Sequence, residues 1–266
     1  MTGLLTLRGR MYVGYAAVCA AFFWLLNMNP AAAVELKILT AGAFKHFPIA
    51  MAQKFEKQSG HTSVIDNDTA GGLVKRIGGG EAFDVAFVSR AAADTLMAGG
   101  RIAPGTRIEI GKIGVGVVVR EGVPVPAVDS VDAFKQALLG AKSISYPDPA
   151  SGGSAGIYAA GLIQRLGLAD QVGPKTRLIS GDVRLIDPVV KGEVELGIYP
   201  VAEIMATAGA RLAGPLPEEI QNYTTYVVVV SKETKHAEAA SGFVQFVSGP
   251  SADAVLTAQG MVPVRR

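Results

Sequence analysis

Glycine-rich segments interrupt the apolar runs of this chain at places where a ligand could reach the backbone. They span residues 40–43, 68–72, 149–156 and 180–184. The first N–H groups of a helix have no partner within the helix and carry partial positive charge. Several helix starts that meet in one cleft would therefore bind a small anion. Each segment alone is better explained as a tight turn with a helix cap, and only the four together favour a binding cleft.

Polar side chains in or beside these segments could contact such an anion. They are Lys45, His46, Thr69, Arg90, Ser151, Ser154 and Arg184. Arginine suits a carboxylate, because its guanidinium group binds both oxygens at once. Lys45 also fits a solvated helix face, and Arg184 also fits a structural strut.

Catalytic and metal-binding patterns do not emerge. His46, His61 and His236 have no metal-ligand spacing, and the single cysteine, Cys19, lies in a leader segment. No nucleophile–base pair can be assigned from the sequence either. We therefore expect a protein that is not an enzyme and uses no cofactor or metal, with an exported α/β hydrolase as the alternative from another class.

The first 33 residues have the three-part order of a secretory signal peptide. Arg8 and Arg10 precede an apolar run from residue 12 to 26, and Ala31-Ala32-Ala33 supplies small residues for cleavage. The run is shorter than the roughly 20 residues that a membrane span needs. Export through a cleaved signal, and a periplasmic location, are the prediction.

The charges that remain after residue 33 are balanced. Two of the 25 basic residues lie in the leader and none of the 23 acidic residues does, so no basic surface for nucleic acid is expected. No later apolar stretch is long enough to cross a bilayer.

Strand and helix patterns alternate along the mature chain, which predicts an α/β fold with parallel sheets. Two long strands, at residues 112–119 and 223–230, interrupt this alternation. We expect two doubly wound α/β lobes joined by these crossover strands. Lobe 1 would comprise residues 34–115 plus 226–266, and lobe 2 residues 116–225. In open α/β sheets ligands bind beyond the carboxyl ends of the strands.

Four segments resemble the periplasmic molybdate-binding proteins of ATP-driven importers, within the bilobed solute-binding superfamily. They are residues 39–44, 154–159, 181–184 and 196–199. The resemblance implies a periplasmic binding protein fold of type II and an oxyanion held by backbone N–H groups and neutral hydroxyls. By position it implies amide donors at Ala155 and Val183. Together with the polar side chains named above, the predicted ligand-binding positions are Ala43, Phe44, Lys45, Thr69, Ala70, Ser154, Ala155, Val183, Arg184 and Tyr199.

The chain departs from that family at three hydroxyl positions. Ala43 and Ala70 align with serines of the family. Pro200 aligns with a tyrosine of the family, and Tyr199 of this chain lies one residue earlier. Asp187-Pro188 predicts a helix start that could displace the Val183 amide.

These observations predict an extracytoplasmic solute-binding protein of an ATP-driven importer, acting as a monomer with an inner-membrane permease and its ATPase. The ligand is a molybdate- or tungstate-type oxyanion by resemblance, and a small organic carboxylate by the departures. A sensory ligand-binding domain is a further alternative.

Overall fold

Parallel strands alternating with helices dominate the residues that the computed structural model describes, 33–180 and 184–264. The strands are β1 Glu35–Ala41, β2 Thr62–Asp68, β3 Val85–Ser89, β4 Ile108–Arg120, β5 Ile144–Pro147, β6 Thr176–Ile179, β7 Leu196–Pro200, β8 Ala210–Pro215, β9 Tyr223–Val230 and β10 Val262–Pro263. The helices are α1 His46–Ser59, α2 Ala70–Gly78, α3 Arg90–Ala98, α4 Val131–Gly140, α5 Ser154–Arg165, α6 Ala169–Val172, α7 Asp187–Val190, α8 Val201–Met205, α9 Ala237–Val247 and α10 Ser251–Ala258. The predicted leader lies outside the described residues, except for Ala33.

The strands form two groups that share β4. In the first group β1 pairs in parallel with β2 and β3, while β9 pairs antiparallel with β3 and β4. In the second group β5 pairs in parallel with β6 and β7, while β4 pairs antiparallel with β7 and β8. Because parallel strands need a crossover, helices connect them.

The long strand β4 changes partners midway. Its residues up to Gly114 pair with β9, those from Val115 to Val118 pair with β7, and those from Gly116 to Arg120 pair with β8 on the other side. The second long strand, β9, pairs only with β3 and β4 among the described strands. The exact division into lobes stays a prediction.

Aromatic side chains fill the core of the first strand group. The Phe44 ring lies 5.2 Å from the Phe47 ring and 5.9 Å from the Phe87 ring, and all three side chains are buried. Phe47, Met51 and Phe55 form the buried face of α1, as their spacing predicts. The α1 helix ends at Gly60, whose φ of 76° is left-handed. This core fixes the start of α1 against the end of β1.

No helix in residues 33–180 or 184–264 is long and apolar enough to cross a membrane.

Candidate functional site

A cavity of about 590 Å³ opens where several helices begin. The starts of α1, α2 and α5 line it, together with the loop before α7, the α8 helix and Tyr226 of β9. Of the ligand-binding residues predicted from sequence, the structure brings seven to this cavity: Ala43, Lys45, Thr69, Ala70, Ser154, Ala155 and Arg184. The volume falls within the range of pockets that hold small organic ligands, about 300–1,000 Å³.

The start of α1 brings positive charge to the cavity. Lys45 precedes the helix, His46 is its first residue, and both line the cavity. Lys45 forms no ion pair with any residue that the structure describes. Burial lowers the pKa of His46, and the neighbouring Lys45 charge lowers it further. A neutral His46 can still donate one hydrogen bond to an anion.

The start of α2 has already used most of its donors. The Thr69 hydroxyl accepts a hydrogen bond from the Gly72 amide at 3.0 Å and donates one to the Ser151 carbonyl at 2.6 Å. The Gly71 amide donates to the Gly152 carbonyl at 3.3 Å. The Thr69 hydroxyl therefore has no proton left for an anion, and this helix start serves mainly to join residues 69–71 to residues 151–152.

The start of α5 keeps its amides available. The first hydrogen bond of this helix runs from the Ile157 amide to the Gly153 carbonyl, so the amides of Ser154, Ala155 and Gly156 precede it. A Cβ atom at Gly156 would come within 2.1 Å of the Pro147 carbonyl oxygen. Only glycine lets this first turn pack so closely on the end of β5. The Ala155 donor position expected by resemblance thus has the geometry of an open helix N-terminus.

Arg184 lines the cavity from the loop before α7. Its side chain is 71% exposed, and Nε lies 3.1 Å from Asp187 Oδ1. The ion pair engages the Nε edge, so the terminal nitrogens remain able to contact a ligand. Residues 181–183 lie outside the described residues, and so does the predicted Val183 donor.

Glu203 and Tyr226 line the cavity as well, and the sequence did not single them out. Glu203 lies in α8, directly after the β7 strand. Ligands of open α/β sheets bind beyond the carboxyl ends of the strands, so this position could have been predicted from the sequence. Burial raises the pKa of its carboxyl to about 7, and the Lys45 charge opposes this. Burial and the Glu203 charge raise the pKa of Tyr226, which a hydrogen bond to Ser154 opposes. Nothing in local spacing indicated Tyr226, which lies within a valine-rich strand.

Three sequence candidates do not line the cavity. Phe44 is fully buried and stacks on the Tyr226 ring at 4.7 Å, so its side chain supports a cavity residue from behind. Tyr199 is fully buried, and its hydroxyl donates to Ser145 Oγ at 2.9 Å. Arg90 begins α3 and pairs with Glu109. The hydroxyl of Tyr199 therefore does not replace the tyrosine missing at position 200.

The described residues can hold an anion but do not group into a metal centre. No cluster of three or more His, Asp or Glu side chains with metal-binding geometry occurs within residues 33–180 and 184–264. Lys45, His46, Arg184 and the open amides of α5 are donors that an anion would meet, whereas Arg76, which also lines the cavity, is held by Asp66 and Glu81.

Comparison with known proteins identifies the family of the chain. The family described as bacterial extracellular solute-binding protein matches residues 36–262. A Pseudomonas protein named aconitate isomerase is 29% identical over 251 residues, 90% of this chain and 94% of that protein. The molybdate-binding protein ModA of Azotobacter vinelandii is 27% identical over 245 residues, 86% of this chain and 90% of that protein.

The fold is also similar to that of a molybdate-binding protein. The solved structure of the periplasmic molybdate-binding protein of Azotobacter vinelandii superposes with a TM-score of 0.72 at 24% identity, covering 86% of this chain and 100% of that one. The predicted resemblance to molybdate-binding proteins and the predicted α/β class are both confirmed.

Proposed function

Because this chain belongs to the bacterial extracellular solute-binding proteins, we propose that it captures a small organic polycarboxylate in the cavity at the helix starts. Capture takes place in the periplasm after cleavage of the leader, and the loaded monomer delivers the ligand to an inner-membrane permease driven by an ATPase. Binding itself needs no cofactor.

The observation that carries the ligand class is the cation Lys45, which faces the cavity without an ion pair among the described residues. A tetrahedral oxyanion caged by neutral donors needs hydroxyls at positions 43 and 70, where this chain has alanines. Carboxylates instead pair strongly with cationic side chains. Lys45 and Arg184, on separate segments of the cavity wall, suit a ligand with more than one carboxylate.

The size of the cavity and one relative support the same class. A cavity of about 590 Å³ has room for a branched organic acid, which is much larger than a single oxyanion. The Pseudomonas relative is named for aconitate, an unsaturated tricarboxylate. The runner-up ligand is molybdate, the ligand named for the Azotobacter relative.

The test is isothermal titration calorimetry of the mature chain with trans-aconitate, citrate and molybdate. We expect a tricarboxylate to bind and molybdate to bind weakly. The Lys45→Met variant should weaken tricarboxylate binding about 10- to 150-fold, because a hydrogen bond to a charged group contributes about 1.5–3 kcal/mol. Lys54→Met is the matched control, since Lys54 is exposed on α1, the helix that Lys45 precedes. Tight binding of molybdate with no response to any tricarboxylate would reverse the assignment.

A second candidate function is isomerisation of the bound acid in the same cavity. It is favoured by the Glu203 carboxyl, which has no role in holding an anion, and by the name of the Pseudomonas relative. Incubation of the protein with trans-aconitate, followed by proton NMR, tests it directly. Accumulation of the cis isomer would establish this activity.

A further inference from the structure

The cavity contains a carboxyl group that anion binding does not require. Two carboxylate residues among the described ones line it, Asp68 and Glu203. Asp68 Oδ1 accepts the Thr69 amide at 2.6 Å, and Oδ2 lies 3.6 Å from Arg76. Within the described residues the Glu203 carboxyl makes neither a hydrogen bond nor an ion pair. A free carboxyl in an anion-binding cavity repels the ligand unless it carries a proton or takes one from it.

The groups facing Glu203 come from three elements. Lys45 precedes α1, Tyr226 lies on β9 and Tyr199 on β7, and Glu203 interacts electrostatically with all three. Neither tyrosine is ionised near neutral pH, because burial raises the pKa of both hydroxyls. Among the described residues, Lys45 is thus the charge that acts on Glu203. It can hold a ligand carboxylate beside the Glu203 carboxyl and stabilise negative charge that develops on the ligand.

We propose that Glu203 is a catalytic base that moves a proton along the carbon frame of a bound, unsaturated polycarboxylate. The proposal rests on the proposed function, since the same cavity must first bind the acid. It adds the residue and the chemical step to the second candidate function.

The step is an allylic proton shift. The Glu203 carboxylate removes a proton from the methylene carbon next to a ligand carboxylate, and the C–H electron pair spreads over the adjacent double bond. The same carboxyl returns the proton to the far carbon of this three-carbon unit. One C–H bond breaks, another forms and the double bond moves by one position. No oxidant, reductant or cofactor is consumed.

The protonation equilibrium of Glu203 suits this role. A carboxyl with a pKa of about 7 is ionised enough near neutral pH to accept a proton, and is basic enough to compete for one from carbon. An ordinary glutamate carboxylate is a weaker base, with a pKa of 4.5. The Lys45 charge favours the ionised form.

The experiment measures binding and chemistry separately on the mature chain, with trans-aconitate as the probe. Calorimetry gives the dissociation constant, and proton NMR in D₂O gives the rates of deuterium incorporation and of cis-isomer formation. We expect the wild type to do both. Glu203→Gln should bind trans-aconitate within a few-fold of the wild type, because glutamine mimics the protonated acid, but it should lose about 10²–10⁴-fold in exchange rate.

Glu219→Gln is the matched control, because Glu219 is an exposed carboxylate without an ion pair among the described residues. Its exchange rate should equal that of the wild type. Binding without exchange, or equal exchange by Glu203→Gln and wild type, overturns the role of Glu203 while the proposed function stands. An absence of trans-aconitate and citrate binding in the calorimeter overturns both.

Discussion

At the scale of single residues, what this cavity can bind depends on which hydrogen-bond donors already have a partner within the protein. Ala43 and Ala70 line the cavity and have no hydroxyl, and the Thr69 hydroxyl donates its hydrogen bond to the Ser151 carbonyl. Lys45 has no such partner among the described residues. Cationic side chains and open amides, rather than hydroxyls, are therefore the donors at this site.

Restoring the missing hydroxyls should change specificity. The double variant Ala43→Ser, Ala70→Ser should bind molybdate at least tenfold more tightly than the wild type, because each hydroxyl adds a hydrogen bond to a charged ligand. Calorimetry with sodium molybdate measures the change. Ala91→Ser, at an exposed position of α3, is the control and should have no effect. An unmodified protein with nanomolar affinity for molybdate would contradict this expectation.

The Glu203 carboxyl should make the stability of the ligand-free protein depend on pH. Its pKa is raised from 4.5 to about 7 in the folded chain. The folded state therefore holds more protons than the unfolded state between these values, and the free energy of unfolding falls as the pH rises through this window.

Glu203→Gln should remove that contribution. Its melting temperature should exceed that of the wild type by a few degrees at pH 8, with a much smaller difference at pH 4.5. Differential scanning calorimetry at both pH values gives the comparison. If the difference between the two proteins is the same at both, the Glu203 carboxyl is not titrating in this range.

At the scale of elements, the start of α2 and the loop after β5 form a direct backbone contact. The Gly71 amide donates to the Gly152 carbonyl at 3.3 Å, and a Cβ atom at Gly152 would lie 3.0 Å from Gly71 Cα. Gly152 has a φ of 75°, which favours glycine for a second reason. This contact joins the first strand group to the second across the cavity.

Gly152→Ala should break the contact and weaken ligand binding. The variant combines backbone strain of about 1–2 kcal/mol with a clash against Gly71. Gly122→Ala is a matched control, because Gly122 has a φ of 83° and nothing within 4 Å of its added Cβ. Thermal unfolding should show a larger loss for Gly152→Ala, and calorimetry with trans-aconitate should show weaker binding for it alone. Equal losses in the two variants would mean that the contact contributes nothing.

At the scale of the whole molecule, β4 is the strand through which the two groups are paired. Thr69 and Gly71 belong with the first group and Ser151 and Gly152 with the second, so their hydrogen bonds hold the groups together over the cavity. Such an arrangement suits hinge closure around a ligand.

Saturating ligand should therefore compact the protein in solution. Small-angle X-ray scattering of the mature chain should give a smaller radius of gyration with the bound acid than without it, because the ligand favours the closed state. Thr69→Val, which loses the hydrogen bond to Ser151, should need more ligand for the same compaction. An unchanged radius of gyration at confirmed saturation would rule out closure.

The alternation of strands and helices could be predicted from the sequence alone. Burial of apolar faces with period 2 or 3.6 is a local property, so the long strand at residues 112–119 and the apolar face of α1 could be predicted. The small residues after the strands also indicated where a cavity would form, because parallel strands end at one edge of a sheet. Seven predicted site residues reach that cavity for this reason.

Which polar groups of the cavity remain free to contact a ligand depends on the folded chain. The partners that occupy Thr69 and Tyr199 lie 82 and 54 residues away in the chain, and no periodicity encodes them. Glu203 and Tyr226 join Lys45 through the same long-range packing. Whether a hydroxyl or carboxyl group contacts a ligand, stabilises the fold or accepts a proton depends on its neighbours in the folded chain. Contacts between distant segments set those neighbours.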